Sequence, residues 1–222
     1  MHQEKILDIK PERRIKEALR EATRIYASRI SKGYYQPGLE DTFKMQLGSI
    51  LAEELELMTF LTGERFLVLF EENMPINGAD DYVDIVVSYK TKDVGEKRYL
   101  IELKFKKKKQ FAQDFGVIDS YQDIWSLEQQ RSSAPVLGCA FIFLTDYVAY
   151  TKEATTGTRK ELPMHEGALI KANKQYKVTG KAAMKKTEKR GHVFSFERDY
   201  RIHYRHFRTD GGQEYWYYVL TD

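Results

Sequence analysis

Residues 78–110 read GADDYVDIVVSYKTKDVGEKRYLIELKFKKKKQ, and this stretch decides the fold. Two runs within it, 82–88 and 98–105, are rich in the β-branched, aromatic and aliphatic residues that favour strands. The polar segment between the two runs contains Asp93 and Gly95 and is typical of a turn. The sequence therefore predicts a β-hairpin whose strands have largely apolar middles.

Two acids and a lysine interrupt the apolar pattern of these strands. Folding the hairpin about residues 93–94 sets Asp84 roughly opposite Leu103, and Glu102 and Lys104 then lie beside it. A buried carboxylate is costly unless it is paired or bound to a metal. Two acids and one lysine leave excess negative charge, which a divalent cation would balance. Mg²⁺ keeps several waters, so one or two carboxylates are enough protein to hold it.

The same trio also has a simpler interpretation, a structural salt bridge on a solvated face of the sheet. Surface pairs of this kind are common in hairpins and contribute little stability. In the functional interpretation, a bound cation polarises a phosphodiester and activates a water. Lys104 then orients that water or stabilises the developing charge. The residue types alone leave both interpretations open.

A resemblance favours the functional interpretation. Asp84 followed by Ile85-Val86-Val87, and then Ile101-Glu102-Leu103-Lys104, resembles the D…(D/E)xK signature of the PD-(D/E)xK nuclease superfamily. That superfamily includes type II restriction endonucleases, resolvases and many repair nucleases. Val83 stands where the fullest form of the signature has proline, a position at which the superfamily frequently lacks it.

A helix predicted over 39–60 adds a further candidate acid. Its apolar positions recur at helical spacing, and Glu40 lies on the same inward face near the helix start. The string EDTFKMQL that begins at Glu40 resembles the superfamily helix that often supplies a site carboxylate. Glu54 is the runner-up, and Lys44 and Gln46 can border the site. Alternatively, Glu40 simply favours the positive helix N-terminus.

The other predicted elements complete an α/β order. Helices are expected over 11–30 and 111–130, a strand over 66–70, and a central strand over 136–144. Glu71 and Glu72 are expected to close the strand 66–70. Glu71 can approach the metal region from there, although a solvated strand end explains it more simply.

The order of these elements predicts the fold class. It is the restriction-endonuclease-like core, a central mixed β-sheet flanked by helices, and the resemblance covers about 39–150. Acids of the helix 111–130, at Asp114, Asp119 and Asp123, are interpreted as solvent-facing charges, caps, or ties to lysines near the site. They are not assigned to catalysis.

The last third of the chain changes in composition. Residues 151–191 hold 11 Lys or Arg and four Glu, a local charge of +7 against +3 for the whole protein. We interpret this segment as a basic insertion, either a solvated loop or a flap that grips the phosphate backbone, with a partly helical stretch near 181–189. Strands follow over 192–220, with a hairpin turn at Asp210-Gly211-Gly212. The whole chain, 1–222, is predicted to form a single nuclease domain.

The overall composition bounds the setting more than the function. A single cysteine, Cys139, cannot form an internal disulfide, and no Cys/His cluster suggests zinc. The start of the sequence has no apolar signal segment, and no run is long enough for a membrane span. We expect a soluble, cytoplasmic protein with DNA and no membrane as partner. A homodimer remains open, because many related DNA-cleaving enzymes dimerise to reach both strands.

The resemblance implies a divalent-metal-dependent endonuclease that hydrolyses DNA with a metal-activated water. Asp84, Glu102 and Glu40 would be metal ligands, the Leu103 carbonyl would complete the coordination, and Lys104 would assist the water. Mg²⁺ is the expected cofactor, with Mn²⁺ able to substitute. Two alternatives stay open, a catalytically inactive nucleic-acid-binding protein with the same fold and a structural protein in which the trio is a buried ion network.

Overall fold

The structure is a computed structural model that describes residues 10–92, 95–110, 113–133, 135–178 and 193–222. The centre of the predicted hairpin turn at 93–94 lies outside the described residues, as do the start of the helix predicted from residue 111 and the end of the basic insertion with its predicted helical stretch. In the described ranges, no helix is long and apolar enough to cross a membrane.

The first seven helices and strands follow the order that the sequence predicts. The longer elements are α1 (Pro11–Ser31), α2 (Glu40–Leu57), β1 (Arg65–Asn73), β2 (Tyr82–Thr91), β3 (Gly95–Lys106), α3 (Gln113–Ser133) and β4 (Val136–Thr145). The shorter elements follow: α4 (Thr158–Glu161), β5 (Leu169–Ile170), β6 (Tyr176–Lys177), β7 (Val193–Phe194), β8 (Tyr200–Arg201), β9 (Arg205–Arg208) and β10 (Glu214–Thr221).

Six of these strands form one mixed sheet in the order β1-β2-β3-β4-β10-β9, and helices flank it. The pairs β1–β2, β2–β3 and β9–β10 are antiparallel. β4 lies inside the sheet, and its residues from Gly138 to Thr145 are buried, as its continuous apolar run predicts. The α/β class with a central mixed sheet is therefore confirmed.

The chain divides into two compact units. The first contains the described residues of Met1–Leu103, Gln129–Ala140 and Thr221, and the second contains those of Lys104–Glu128, Phe141–Leu220 and Asp222. β3 and β4 each contribute residues to both units. The predicted division into a core over 39–150 and an insertion over 151–191 does not coincide with these units.

In the first unit, α2 packs closely against β1 and β2. A Cβ added at Gly48 would collide with the ring of Phe70 and would lie 3.5 Å from Cδ1 of Ile85. Only a residue without a side chain fits at this distance, so Gly48 sets the approach of the helix to the sheet. Because Lys44 is one helical turn before Gly48, the same approach brings Lys44 to the strands.

A buried ion pair ties α1 to the loop before β1. Arg14 Nη1 donates to Glu64 Oε2 at 2.7 Å and to the Met58 carbonyl at 2.8 Å, and Arg14 Nη2 donates to Glu64 Oε1. Burial raises the pKa of Glu64, but the bonds from Arg14 and from the Phe60 N–H outweigh it and hold the pKa below its ordinary value. The guanidinium also lies over the Phe66 ring at 5.1 Å. Arg14 and Glu64 therefore form a paired, hydrogen-bonded charge in the interior.

The hairpin is confirmed, but its register differs by one residue from the predicted one. Thr91 pairs with Gly95, so three residues rather than two separate the paired ends of the strands. Gly95 has φ +72°, the left-handed backbone that hairpin loops longer than two residues commonly use. The pairing runs on to Ile85 with Ile101, so continuing it places Asp84 opposite Glu102 and not opposite Leu103.

β1 is longer than the sequence indicates. The prediction that Glu71 and Glu72 close the strand is wrong, because β1 continues to Asn73. The pairs Phe70–Ile85 and Glu72–Val83 flank Glu71, so Glu71 stands at the register position opposite Asp84. The two charged residues did not mark the end of the strand, because the middle of β1 is itself only half-buried.

In the second unit, the described part of the predicted insertion is folded. Its apolar side chains are buried, and the segment is tied down by the pairings of β5 with β8 and of β6 with β7. The buried residues are Leu162, Met164, Ala168, Ile170, Tyr176 and Val178. A mobile, solvated loop therefore does not describe residues 151–178, whereas a flap that grips the phosphate backbone stays a prediction. Its lysines lie on the surface of a packed structure, which composition alone does not reveal.

A buried acid of α3 holds the segment that follows β7. Glu128 Oε2 accepts the Glu197 N–H at 2.9 Å, and Glu128 Oε1 accepts the Tyr200 hydroxyl at 2.7 Å. Burial raises the pKa of Glu128 above its ordinary value despite these two bonds.

The hairpin turn at 210–212 is confirmed, since β9 and β10 pair antiparallel on either side of it.

Candidate active site

Asp84 and Glu102 lie directly beyond the register pair of Ile85 on β2 with Ile101 on β3. Both isoleucines are fully buried. The Asp84 side chain is 17 % exposed, and Glu102 is buried. The side-by-side arrangement of the two carboxylates that the functional interpretation requires stays a prediction.

The two oxygens of Asp84 face different partners. Oδ2 accepts a hydrogen bond from the Leu103 N–H at 2.9 Å, which fixes the carboxylate against β3. Oδ1 lies 3.4 Å from the Nζ atom of Lys44 on α2. Leu103 was predicted to contribute through its carbonyl, and the contact that the structure describes is made by its amide.

Lys44 and Glu71 belong to the site more firmly than the sequence suggests. The Lys44 side chain is 8 % exposed, and its Nζ contacts the carboxylates of Glu71, Asp84 and Asp41. Glu71 has φ +53°, which is uncommon for a residue with a side chain and places it in a strained backbone conformation. The signal available in the sequence was a lysine four residues after Glu40, on the same helix face.

Glu40 and Glu54 are both half-buried on α2, with Glu40 as its first residue. The α2 side chain that contacts Asp84 is Lys44, one turn after Glu40. A ligand role for Glu40, with Glu54 as the runner-up, therefore stays a prediction. Gln46 lies two residues beyond Lys44, and its Oε1 is buried without a hydrogen-bond partner among the residues that the structure describes.

In the second unit, the lysines of β3 pair with the acids of α3. Lys104 Nζ lies 2.9 Å from Asp123 Oδ2, and Lys106 Nζ lies 3.7 Å from Asp119 Oδ2. The two acids are four residues apart and share one face of the helix, while the two lysines share one face of the strand. Of the three interpretations of these acids, ion pairing with lysines near the site therefore applies to Asp119 and Asp123.

Gly116 makes room for the second of these pairs. A Cβ at this position would collide with the Tyr150 hydroxyl and would lie 3.2 Å from two carbons of the Lys106 side chain. The absence of a side chain lets Lys106 run along the start of α3 to reach Asp119. Burial raises the pKa of Tyr150 well above its ordinary value, and the nearby Asp114 and Asp119 raise it further. The Tyr150 hydroxyl is therefore a neutral neighbour of Lys106.

The donor set suits a hard divalent cation. Two carboxylates with a main-chain carbonyl supply oxygen ligands, which Mg²⁺ and Mn²⁺ prefer, and Mg²⁺ needs only one or two carboxylates. Within the described residues, no group of three or more His, Cys, Asp or Glu side chains is placed to hold a metal. The Lys44 ammonium beside Asp84 indicates that this carboxylate already accommodates a cation. Of the predicted ligand set, Asp84 and Glu102 are the side chains that lie next to one register pair, Ile85 with Ile101.

The basic and aromatic strand β9 is an edge of the six-stranded sheet. β9 ends the six-strand order, and its Arg205 and Arg208 are exposed. Phe207 stacks on Tyr215 of β10 with ring centroids 5.3 Å apart, which is a cross-strand pair. The aromatic residues therefore stabilise the hairpin, and the exposed arginines are the groups that face solvent.

Comparison of this chain with protein-family models, with curated proteins and with solved structures gives no match. The candidate site therefore stands on the geometry of its own residues.

Proposed function

We propose that this protein is a divalent-metal-dependent endonuclease that hydrolyses DNA phosphodiester bonds, with a restriction-endonuclease-like core. The observation that carries the proposal is the position of Asp84 and Glu102 directly beyond the Ile85–Ile101 register pair of adjacent antiparallel strands, with Asp84 bonded to the Leu103 amide at 2.9 Å. The motif resemblance predicts this pair of acids, and a one-residue shift in register does not separate them.

Asp84 and Glu102 would hold Mg²⁺ or Mn²⁺, with the Leu103 carbonyl and Glu40 as further proposed ligands. When bound, the cation polarises the phosphodiester and lowers the pKa of a coordinated water. The Leu103 N–H keeps the Asp84 carboxylate in one orientation, so little rearrangement is needed when the substrate binds. Partial burial of both acids strengthens their attraction for a cation relative to acids in water.

Lys104 donates hydrogen bonds to the attacking water or to the phosphate oxygens, where negative charge increases during the reaction. Asp123 holds the ammonium at 2.9 Å and limits its movement. Lys106, Lys107, Lys108 and Lys109 follow along the chain, and a basic run of this kind attracts the nucleic-acid backbone.

The test is cleavage of supercoiled plasmid by the full chain with Mg²⁺ or Mn²⁺, with EDTA as the metal-free control. Nicked or linear product that depends on the metal is expected. Single-stranded DNA and RNA in parallel reactions show which nucleic acid is cut. A chain that leaves all of these substrates intact with Mg²⁺, Mn²⁺, Co²⁺ and Ca²⁺ is not a nuclease.

Substituting Asp123 by Asn is expected to lower the cleavage rate about tenfold, because Lys104 loses the charged partner that positions it. Asp119→Asn is the matched control, since it removes the partner of Lys106 on the same helix face, and its rate should stay within about twofold of wild type. The measurement is the single-turnover rate at saturating Mg²⁺. If both variants and wild type cleave at equal rates, the positioning of Lys104 by Asp123 does not contribute to the reaction.

The ion pairs of the site favour a second function, a catalytically inactive nucleic-acid-binding protein with the same fold. Lys44 already neutralises part of the charge of Asp84, and Lys104 already has Asp123 as its partner. DNA binding at low salt without cleavage, and without a calorimetric signal for Mn²⁺, would select this function over the nuclease.

A further inference from the structure

Lys44 is a buried cation that needs its carboxylate partners. Its side chain is 8 % exposed, and lysine is almost never buried without a paired charge. Asp41 Oδ1 and Asp84 Oδ1 each lie 3.4 Å from Nζ, and Glu71 Oε1 is also in contact with it. The ammonium thus sits directly at the acid that the proposed nuclease uses to hold its metal.

One ammonium does not balance the acids around it. Three carboxylates around one lysine leave two negative charges among these four groups. An exchange of the ammonium at Asp84 for a divalent cation would therefore improve the charge balance of the site. The exchange requires Lys44 to keep another partner after it leaves Asp84.

Glu71 is placed to be that partner. It stands at the register position opposite Asp84 on the neighbouring strand, and it keeps φ +53° in the interior of β1. Such a conformation persists only where the surrounding contacts hold it, and the ion pair with Lys44 is a contact of this kind. The Glu71 side chain is 55 % exposed, so the pair can shift towards solvent without leaving a buried charge alone.

We propose that Lys44 is an internal counter-ion that competes with the divalent metal for Asp84 and thereby lowers the metal affinity of the site. This inference rests on the proposed metal-dependent function. In the metal-free protein, Lys44 neutralises Asp84. When the metal binds, the ammonium withdraws to Glu71 and Asp41.

The test is Mn²⁺ binding to the full chain, measured by isothermal titration calorimetry. Lys44→Met keeps most of the apolar stem and removes the charge, so its Mn²⁺ affinity should rise about tenfold or more over wild type. Lys44→Arg, which keeps the charge, should bind near the wild-type affinity. Lys90→Met is the matched control for net charge, because the exposed Lys90 pairs with Glu96, and it should change the Mn²⁺ affinity less than about twofold.

The outcomes separate the inference from the proposed function. If wild type binds Mn²⁺ and Lys44→Met binds it equally or more weakly, competition is wrong while the metal site stands. If wild type and all three variants bind no Mn²⁺, both the inference and the metal-dependent function are overturned. Binding by Lys44→Met that disappears on adding Asp84→Asn supports the inference, and binding that persists places the metal elsewhere and overturns it.

Two further measurements cover the case in which Lys44→Met does not fold, as judged by circular dichroism. Lys44→Gln removes the same charge and can still donate a hydrogen bond to Glu71, and its affinity should rise likewise. In wild-type protein, the NMR signal of the Lys44 side chain should shift when Mg²⁺ is added, because the ammonium changes partners. A Lys44 signal that stays unchanged while Mg²⁺ binds would contradict the exchange.

Discussion

Substituting Asp84 by Asn, or Glu102 by Gln, is expected to reduce metal-dependent plasmid cleavage on the order of a thousandfold. Each change removes one negative charge from the pair proposed to hold the cation and leaves the size of the side chain unchanged. Asp84→Asn keeps an oxygen that accepts the Leu103 N–H, so the hairpin should remain intact. The measurements are the cleavage rate at saturating Mg²⁺ and the melting temperature of each variant.

Glu96→Gln is the matched control for both substitutions. Glu96 is a half-buried residue of β3, on the same face as Glu102 by strand alternation, and it pairs with the exposed Lys90. Removing the Glu96 charge should leave the cleavage rate within about twofold of wild type, because an ion pair with an exposed lysine contributes little to stability. Full cleavage by folded Asp84→Asn and Glu102→Gln would exclude these two acids as the centre of the reaction.

Replacing Arg14 with Ala should lower the free energy of unfolding by about 3–5 kcal/mol, the largest stability effect that we expect for a single substitution in the first unit. The change leaves the buried Glu64 carboxylate without its guanidinium and removes the donor to the Met58 carbonyl. Urea unfolding followed by circular dichroism measures the loss. Arg13→Ala is the control, because Arg13 pairs with Glu17 at the surface, and it should change the free energy by less than about 0.5 kcal/mol.

The effect of Arg14→Ala should depend on pH. The folded protein holds the pKa of Glu64 below its usual value of 4.5, so the pair contributes its stability above that pH and loses it as the pH falls through the lower folded value. In the variant, protonation at acid pH removes the unpaired buried charge. The difference between wild type and Arg14→Ala should therefore be largest near pH 7 and should narrow as the pH falls towards 4.5 and below it. A difference that is constant with pH would mean that lost packing, and not lost charge, causes the effect.

Patterns that act over a few residues were predicted correctly from the sequence. The strand composition on either side of residue 93, the apolar run over 136–144 and the helical spacing after Pro11 each correspond to an element of the structure. These features follow from propensity and periodicity, which tertiary contacts reinforced here.

The hairpin register required knowledge of the loop length, which composition does not specify. Asp93 and Gly95 indicate a turn, but two-residue and three-residue loops are both compatible with them. The difference of one residue, continued past Ile85 and Ile101, sets Asp84 at the register position of Glu102 and not of Leu103. The solvated-loop interpretation of residues 151–178 was wrong for a related reason, because the lysines in this range mask the buried apolar residues between them.

The sequence by itself determined the α/β order and the hairpin, because each depends on residues that are close along the chain or on a period of two. Only the tertiary structure decided which cation meets Asp84. Lys44, Glu71 and Asp84 lie on three separate elements, and they meet because Gly48 allows α2 to approach the sheet. Contacts of this kind depend on the distance between packed elements, which no local pattern encodes.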